Sequence, residues 1–539
     1  MSWLRLSNLI RRVIWGLGLV NIRITPRDAS LTCGGELGVT ITMDPAPPRS
    51  VTLHVDLKDP ATVSVSNEIT TEPNSQKVTA TVRGQRVGAT VLTFRVGLTH
   101  HLGEKLNAYL SSLVNSFGFG IAKVNLTVGL APILVVAPHP DDEALMASGL
   151  IKSALEKGEP VKVVVVTNGD HLRGKRAYGI ARQAESVSAM TMLGLQPSDI
   201  IFLGYPGDVR GLLYLLNNSD GANKPPYESL AGSTATYGAH GLGNQDFHSW
   251  LTGEPARYQG AYLAADLDAL LKVFRPQDVY TTSRFDEHPD HRAVYYFLVR
   301  AIQLRQLDDS TYRPKIHFTV IHDVAENLYE DFWESDSHPR SFTVNFSGDD
   351  AWPVPLDERN EERATSVARL TPPPNLWRTT LRWSQVEHHF VPMPMQTNRI
   401  SENLKYQVLS RYVSQPIRYL GPFCKTEEVF WQEELPRTEL LALSPLNLFI
   451  KRGEALVLSV SLVRPALRAI AVALESSDEN VAIVPAAVVI HTGMTTVNFP
   501  VKGGMAGKAT VTANFDAKQT LARVTVEDRD FRGYGAYLQ

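Results

Sequence analysis

Three rhythms of hydrophobic and polar residues follow one another along the chain. From about Ile24 to Val128, short runs alternate apolar and polar positions, as in VTLHVDL (51–57), KVTATV (77–82) and ATVLTFRV (89–96), with turn-rich pieces between them. Alternation with period two marks strands with one buried face, and several such strands at close spacing predict an all-β sandwich over residues 24–130. The pattern returns in LNLFI (446–450), LVLSVSLV (456–463), TTVNFPV (495–501) and ATVTANF (509–515), predicting a second sandwich over 437–528. Laid over each other with a shift of about 418 to 420 positions, the two ends pair Glu36 with Glu454, Gly84 with Gly503 and Gly88 with Gly507. One Ig-like domain used twice is expected. Only the first copy carries THHLGEKLNAYLSSLVNSFGFG, where Leu102, Leu106, Leu110 and Leu113 recur at helical spacing and predict an inserted helix.

Between the sandwiches, over 131–436, nearly continuous apolar runs such as ILVVA (133–137), VKVVVVT (161–167) and DIIFLG (199–204) alternate with helical stretches. Strands without polar alternation are buried on both faces, so an α/β, Rossmann-like layer structure with a mainly parallel sheet is predicted. From Leu212 to Gly260 the rhythm breaks into Gly, Asn, Pro, Ser and Tyr. A loop of that length inside a compact domain predicts a lid over a binding site.

The first 23 residues place Arg5, Arg11 and Arg12 ahead of an apolar stretch from Val13 to Val20. That stretch is too short to span a bilayer, and the segment reads either as an export signal or as an amphipathic helix on a surface. Export, or peripheral association with a membrane or cell surface, is therefore expected ahead of a cytoplasmic location. Residues 529–539 form a tail. The 53 Lys and Arg against 56 Asp and Glu leave a net charge of −3, which gives no broad attraction to phosphate backbones, and no nucleic-acid partner is expected. Only two cysteines, Cys33 and Cys424, are present, so neither a disulfide framework nor a Cys-rich metal site is available.

The candidate chemistry lies at two places in the middle region. ILVVA runs directly into PHPDDEALMASGLI, where Pro140 can begin a helix and Asp141, Asp142 and Glu143 fill its first turn. The helix dipole alone accounts for the acids and the proline, but not for His139, delivered where parallel strands end and ligands bind. The second place is SRFDEHPDHRAV, which follows the apolar strand DVYTT (278–282) and again opens a helix, with His288 and His291 three residues apart. Two such clusters at equivalent places, each supplying His and Asp, predict a divalent metal held by two imidazoles and a carboxylate, with a position left for water. Asp141 and Asp142 point differently from the helix start, so one can bind metal while the other takes a proton from water; His288 can polarise a carbonyl or protonate a leaving amine.

These residues resemble the PIG-L/LmbE-like deacetylases, whose signature is a strand, then (A)(P)HPDDE, then a later HPDH; Ala137 to Glu143 and His288 to His291 match it. The resemblance implies Zn2+ held by His139, Asp142 and His291, Asp141 as general base, and His288 as the electrophilic or general-acid histidine with Asp290 orienting it. It extends over about 131–435. TNGD (167–170) looks like the family's loop after the second strand, which makes Asp170 a substrate residue, and Arg182 with Glu185 looks like its R-x-x-E helix, whose arginine meets substrate. Lys405, YVSQ (412–415) and KTEEVFW (425–431) are similar to its closing segment. Two departures stand out: GYPGDVRG sets Asp208, a candidate sugar contact, one residue later than the family pattern, and Asp286 occupies a position where some members carry an oxyanion-stabilising tyrosine.

The function implied is a zinc-dependent amidohydrolase that removes an N-acyl group, expected to be acetyl, from an amino-sugar, whether a small molecule or a glycoconjugate. The alternatives are a metal-dependent phosphoesterase, which needs more ligands than this set supplies, and a non-catalytic carbohydrate-binding or adhesion protein carried by the sandwiches.

Overall fold

The computed structural model describes residues 20–96, 121–172, 174–208, 211–218, 225–286, 288–309, 311–322, 385–397, 402–435, 439–516 and 518–528. Most of the expected N-terminal segment, the expected inserted helix and the tail lie outside these residues. The chain divides into two compact units: one takes the residues up to Ala301 together with Pro314–Glu434, the other Ile302–Arg313 with Leu435–Gln539.

The first unit is built on a seven-stranded sheet of β1 (Ile133–Ala137), β2 (Val161–Thr167), β3 (Ile200–Tyr205), β4 (Asp278–Thr282), β5 (Lys315–Thr319), β6 (Val386–Phe390) and β7 (Glu427–Glu433). Its order is β3-β2-β1-β4-β5-β7-β6. The five strands from β3 to β5 pair in parallel, whereas β7 pairs antiparallel with both β5 and β6. The sheet is thus mixed, and the expectation of a mainly parallel sheet applies to only part of it. The reason is legible in β6, whose VEHHF has polar, half-exposed positions of the kind an edge strand tolerates, while VKVVVVT of β2 is almost wholly buried. Helices α1 (Asp142–Glu156) and α2 (Arg176–Leu193) cover one side, so that Ala144, Ile151 and Met190 close a core with Val135, Val163 and Phe202. Helices α3 (Gly211–Asn217), α4 (Phe247–Thr252), α5 (Gly260–Phe274) and α6, which begins at Pro289, complete the αβ alternation. Successive strands run outward from β1 in one direction and from β4 in the other. The order therefore reverses between those two strands, and both motifs leave the sheet there.

The segment expected to be a lid is instead packed where it is described. Tyr237 donates from its hydroxyl to Asp170 (2.8 Å), Tyr227 to Asp208 (2.7 Å) and Tyr258 to the Gly204 carbonyl (3.1 Å), while Asp246 caps α4 through the Ser249 amide (3.0 Å). The tyrosines that give the segment its lid-like composition are the pins that hold it down.

Also in the first unit, residues 21–96 and 121–129 form a sandwich of a four-stranded and a five-stranded sheet. It is fastened to the sheet domain at the C-terminus of α5. Thr32 Oγ1 donates to the Phe274 carbonyl (2.9 Å), meeting one of the carbonyls that the helix end leaves without a partner. A Cβ on Gly35 would lie 2.3 Å from the Val273 carbonyl oxygen, so only glycine lets the two backbones approach.

The second unit repeats that sandwich strand for strand, again with a four-stranded and a five-stranded sheet in corresponding order. Gly34 and Gly453 both have positive φ (78° and 83°), and the amides of Gly84 and Gly503 donate to the carbonyls of Gly35 and Glu454. The register therefore pairs Gly35, and not Glu36, with Glu454, which corrects that one pairing while keeping Gly84 with Gly503. Both cysteines are free. Among the described residues no helix is long and apolar enough to cross a membrane.

Candidate metal centre

At the end of β1 the chain passes through Pro138, His139 and Pro140 before α1 begins at Asp142. Asp141, between them, has φ 119° and ψ −35°, a conformation that costs a non-glycine residue of order 1–3 kcal/mol and persists only where its surroundings enforce it. They do so from both sides. The Asp141 amide donates to Glu143 Oε2 (3.0 Å), and its carboxylate accepts from Arg182 (2.9 Å), which also donates to the carbonyls of Pro140 and Gly169. Glu143 is itself fixed by the Tyr412 hydroxyl (2.7 Å).

From the far side of the strand-order reversal, β4 leads into Asp286, His288 and the start of α6. Three atoms from the two segments converge: His291 Nε2 lies 3.1 Å from Asp142 Oδ2 and 3.3 Å from His139 Nδ1, and His139 Nδ1 lies 3.1 Å from Asp142 Oδ2. The outward nitrogens of both rings meet carboxylates, His139 Nε2 at 3.0 Å from Asp290 and His291 Nδ1 at 3.1 Å from Asp286. A carboxylate behind each imidazole fixes the ring and leaves its other nitrogen free to bind a metal. His139, Asp142 and His291 can hold a metal ion.

The electrostatics suit a cation. Burial opposes charge on His139, but Asp142 and Asp290 outweigh it and raise its pKa to about 9; Asp142 and Asp286 likewise raise that of His291. Burial lifts the Asp141 carboxyl to about 7, with Arg182 opposing and Asp142 and Glu143 adding to the rise. His288 is driven the other way by burial and by the neighbouring His139 and His291, so its ring is neutral. Because His288 Nδ1 accepts the Asp290 amide (3.2 Å), the proton of the neutral ring sits on Nε2.

The remaining sequence candidates have partners other than those expected. Asp290, expected to orient His288, has its carboxylate on His139. Arg182, expected to meet substrate, is 4% exposed and has its guanidinium engaged by Asp141 and two carbonyls. Asp170 and Asp208, also expected to meet substrate, are buried and hold backbone: Asp170 accepts the Gly207 amide and Asp208 the Leu230 amide (2.8 Å each). Glu185 accepts from the amide (2.9 Å) and hydroxyl (2.6 Å) of Ser414. Lys405 is buried against Glu428 (2.6 Å).

Two site residues escape sequence reasoning. Asp286 stands out in the chain only for the tyrosine it replaces. His322 follows β5 at the same edge of the sheet as the two motifs, and a histidine just past a strand end is the available signal.

Residues 134–302 match the family described as PIG-L: GlcNAc-PI de-N-acetylase. None of the curated proteins matches the chain. Among solved structures, domains 4 and 5 of the S-layer protein SbsC are similar at 17% identity over 18% of this chain (TM-score 0.15), and this chain covers 58% of theirs. N,N'-diacetylchitobiose deacetylase from Pyrococcus horikoshii is similar at 16% identity over 46% of this chain and 73% of its own (TM-score 0.24). The conserved protein TT1542 from Thermus thermophilus is similar at 20% identity over 44% of this chain and 79% of its own (TM-score 0.22). Residues 134–302, which carry both motifs, are a PIG-L family domain.

Proposed function

We propose that the protein is a zinc-dependent hydrolase that removes an N-acetyl group from an amino-sugar or a glycoconjugate bearing one. The observation that carries this reading is the triangle of His139 Nδ1, Asp142 Oδ2 and His291 Nε2, with edges of 3.1 to 3.3 Å. Ligands about 2.0 Å from a tetrahedral zinc stand about 3.3 Å apart, so the three atoms fit one face of such a site and leave its fourth position open. Zinc bound there supplies Lewis acidity to a water molecule and to the amide carbonyl.

The chain's own groups complete the reaction. Asp141, with its pKa raised to about 7, accepts a proton from the attacking water and passes it to the departing nitrogen as the C–N bond breaks. Acetate and a free amine result. His288 donates from Nε2 to the oxygen on which negative charge develops, a role open to a neutral imidazole and unavailable to the Asp286 carboxylate. The amino-sugar assignment draws on the description of the matched family. In this reading the Ig-like sandwiches hold no reacting group.

The test is acetate release by the full-length, zinc-loaded protein from a panel of N-acetylated sugars, alongside metal analysis. Acetate and a stoichiometric primary amine are expected. Metal-loaded protein that hydrolyses phosphate esters but no amide would overturn the reading in favour of a phosphoesterase.

A further inference from the structure

His322 lies beside the site, just past the end of β5, and three observations tie it to the donor set. Its ring centroid is 4.9 Å from that of His291 and 5.4 Å from that of His288. Ligand atoms of Asp142, His291 and His322 all fall within 4.8 Å of one another. The third observation concerns how it is held. Asp286 Oδ2, the oxygen that faces His291 Nδ1 at 3.1 Å, also accepts the amides of Ile321 (2.8 Å) and His322 (3.1 Å). One carboxylate oxygen therefore faces the His291 ring and also holds the backbone that presents His322.

We propose that His322 is a fourth protein ligand for the metal, binding in the resting protein at the position that His139, Asp142 and His291 leave open. This rests on reading those three residues as a metal centre. The chemistry follows from coordination. Three protein ligands leave a position for water or substrate, whereas a fourth imidazole closes it and tightens the metal. A ligand supplied from beyond β5, outside the two motifs, can be displaced by an incoming carbonyl while His139, Asp142 and His291 keep the metal. The site thus guards its metal when empty and opens to substrate.

The experiment uses full-length protein and two probes, Zn2+ and Co2+. Zinc affinity is measured by competition with a chromogenic chelator for the wild type, His322→Ala, His322→Gln and His291→Ala. The absorption of the cobalt-loaded proteins reports coordination number. Loss of His322 is expected to weaken zinc by about tenfold or more. It should also shift the cobalt spectrum from four-coordinate towards higher coordination, while thermal unfolding of the metal-free variants matches that of the wild type. If His291→Ala loses the metal but His322→Ala keeps wild-type affinity and spectrum, the assignment of His322 is wrong and the three-ligand centre stands. If the wild type binds no metal, or His291→Ala binds it unchanged, the metal-centre reading fails and this inference fails with it.

Discussion

The carboxylate of Asp286 stands 3.1 Å from Nδ1 of His291, on the side of the ring turned away from His139 and Asp142. That contact orients Nε2 towards the other donors. Asp286→Ala is expected to lower metal affinity about 10- to 100-fold, the usual effect of losing the group behind a ligating histidine. Asp286→Asn should lose less, because an amide oxygen can still accept from the ring. Chelator competition measures both, and unchanged affinity in the alanine variant would show that His291 needs no support.

Asp141→Asn should retain the metal and lose turnover by about a hundredfold or more, since the amide fills the same space but accepts no proton. Metal analysis beside steady-state rates separates the two effects. A variant with full metal and near-normal kcat moves the base role away from Asp141.

Lys405 and Glu428 form a buried ion pair inserted against α1: Lys405 Nζ donates to the Leu145 carbonyl (3.0 Å), and Glu428 accepts the amides of Gly149 (2.8 Å) and Leu150 (2.9 Å). Removing one partner strands a charge in the core, so Lys405→Met and Glu428→Gln should each cost about 3–5 kcal/mol. The double variant should cost clearly less than the sum. Denaturant unfolding around the full mutant cycle measures this, and simple additivity would show that the pair is not coupled.

Gly35→Ala should destabilise the protein, because its Cβ meets the Val273 carbonyl at 2.3 Å, whereas Glu454→Ala at the equivalent exposed position should change stability by less than about 0.5 kcal/mol. Thr32→Val, which removes the hydrogen bond to the end of α5, should cost about 1 kcal/mol. Thermal unfolding of the three variants tests whether the first sandwich is fastened as described; equal effects at positions 35 and 454 would refute it.

The parts of this architecture that are written locally are legible in the chain. ILVVA and VKVVVVT are strands because nearly continuous apolar runs of that length must be buried on both faces. The two HPD motifs are recognisable because each follows such a strand and opens a helix. What escapes is pairing between distant segments. Nothing near Lys405 in sequence announces Glu428 or the middle of α1. Asp170 and Asp208 look like substrate groups because they stand in stretches that resemble the family's loops, yet each finds a backbone amide and a tyrosine from the 225–259 segment. The same tyrosines make that segment look like a lid. His322 is easily overlooked because no motif surrounds it.

The close approach at Gly35 also bears on how freely the two sandwiches can vary. In the first copy the backbone of Val273 sits where a side chain would begin, so every substitution at that position meets it. In the second, glutamate occupies the equivalent place in the open. Two copies of one architecture therefore have unequal tolerance for mutation, and the difference is set by a neighbour rather than by the fold itself. Exchanging the copies would carry Glu454 onto the end of α5 and fail there, although each sandwich is sound within its own body.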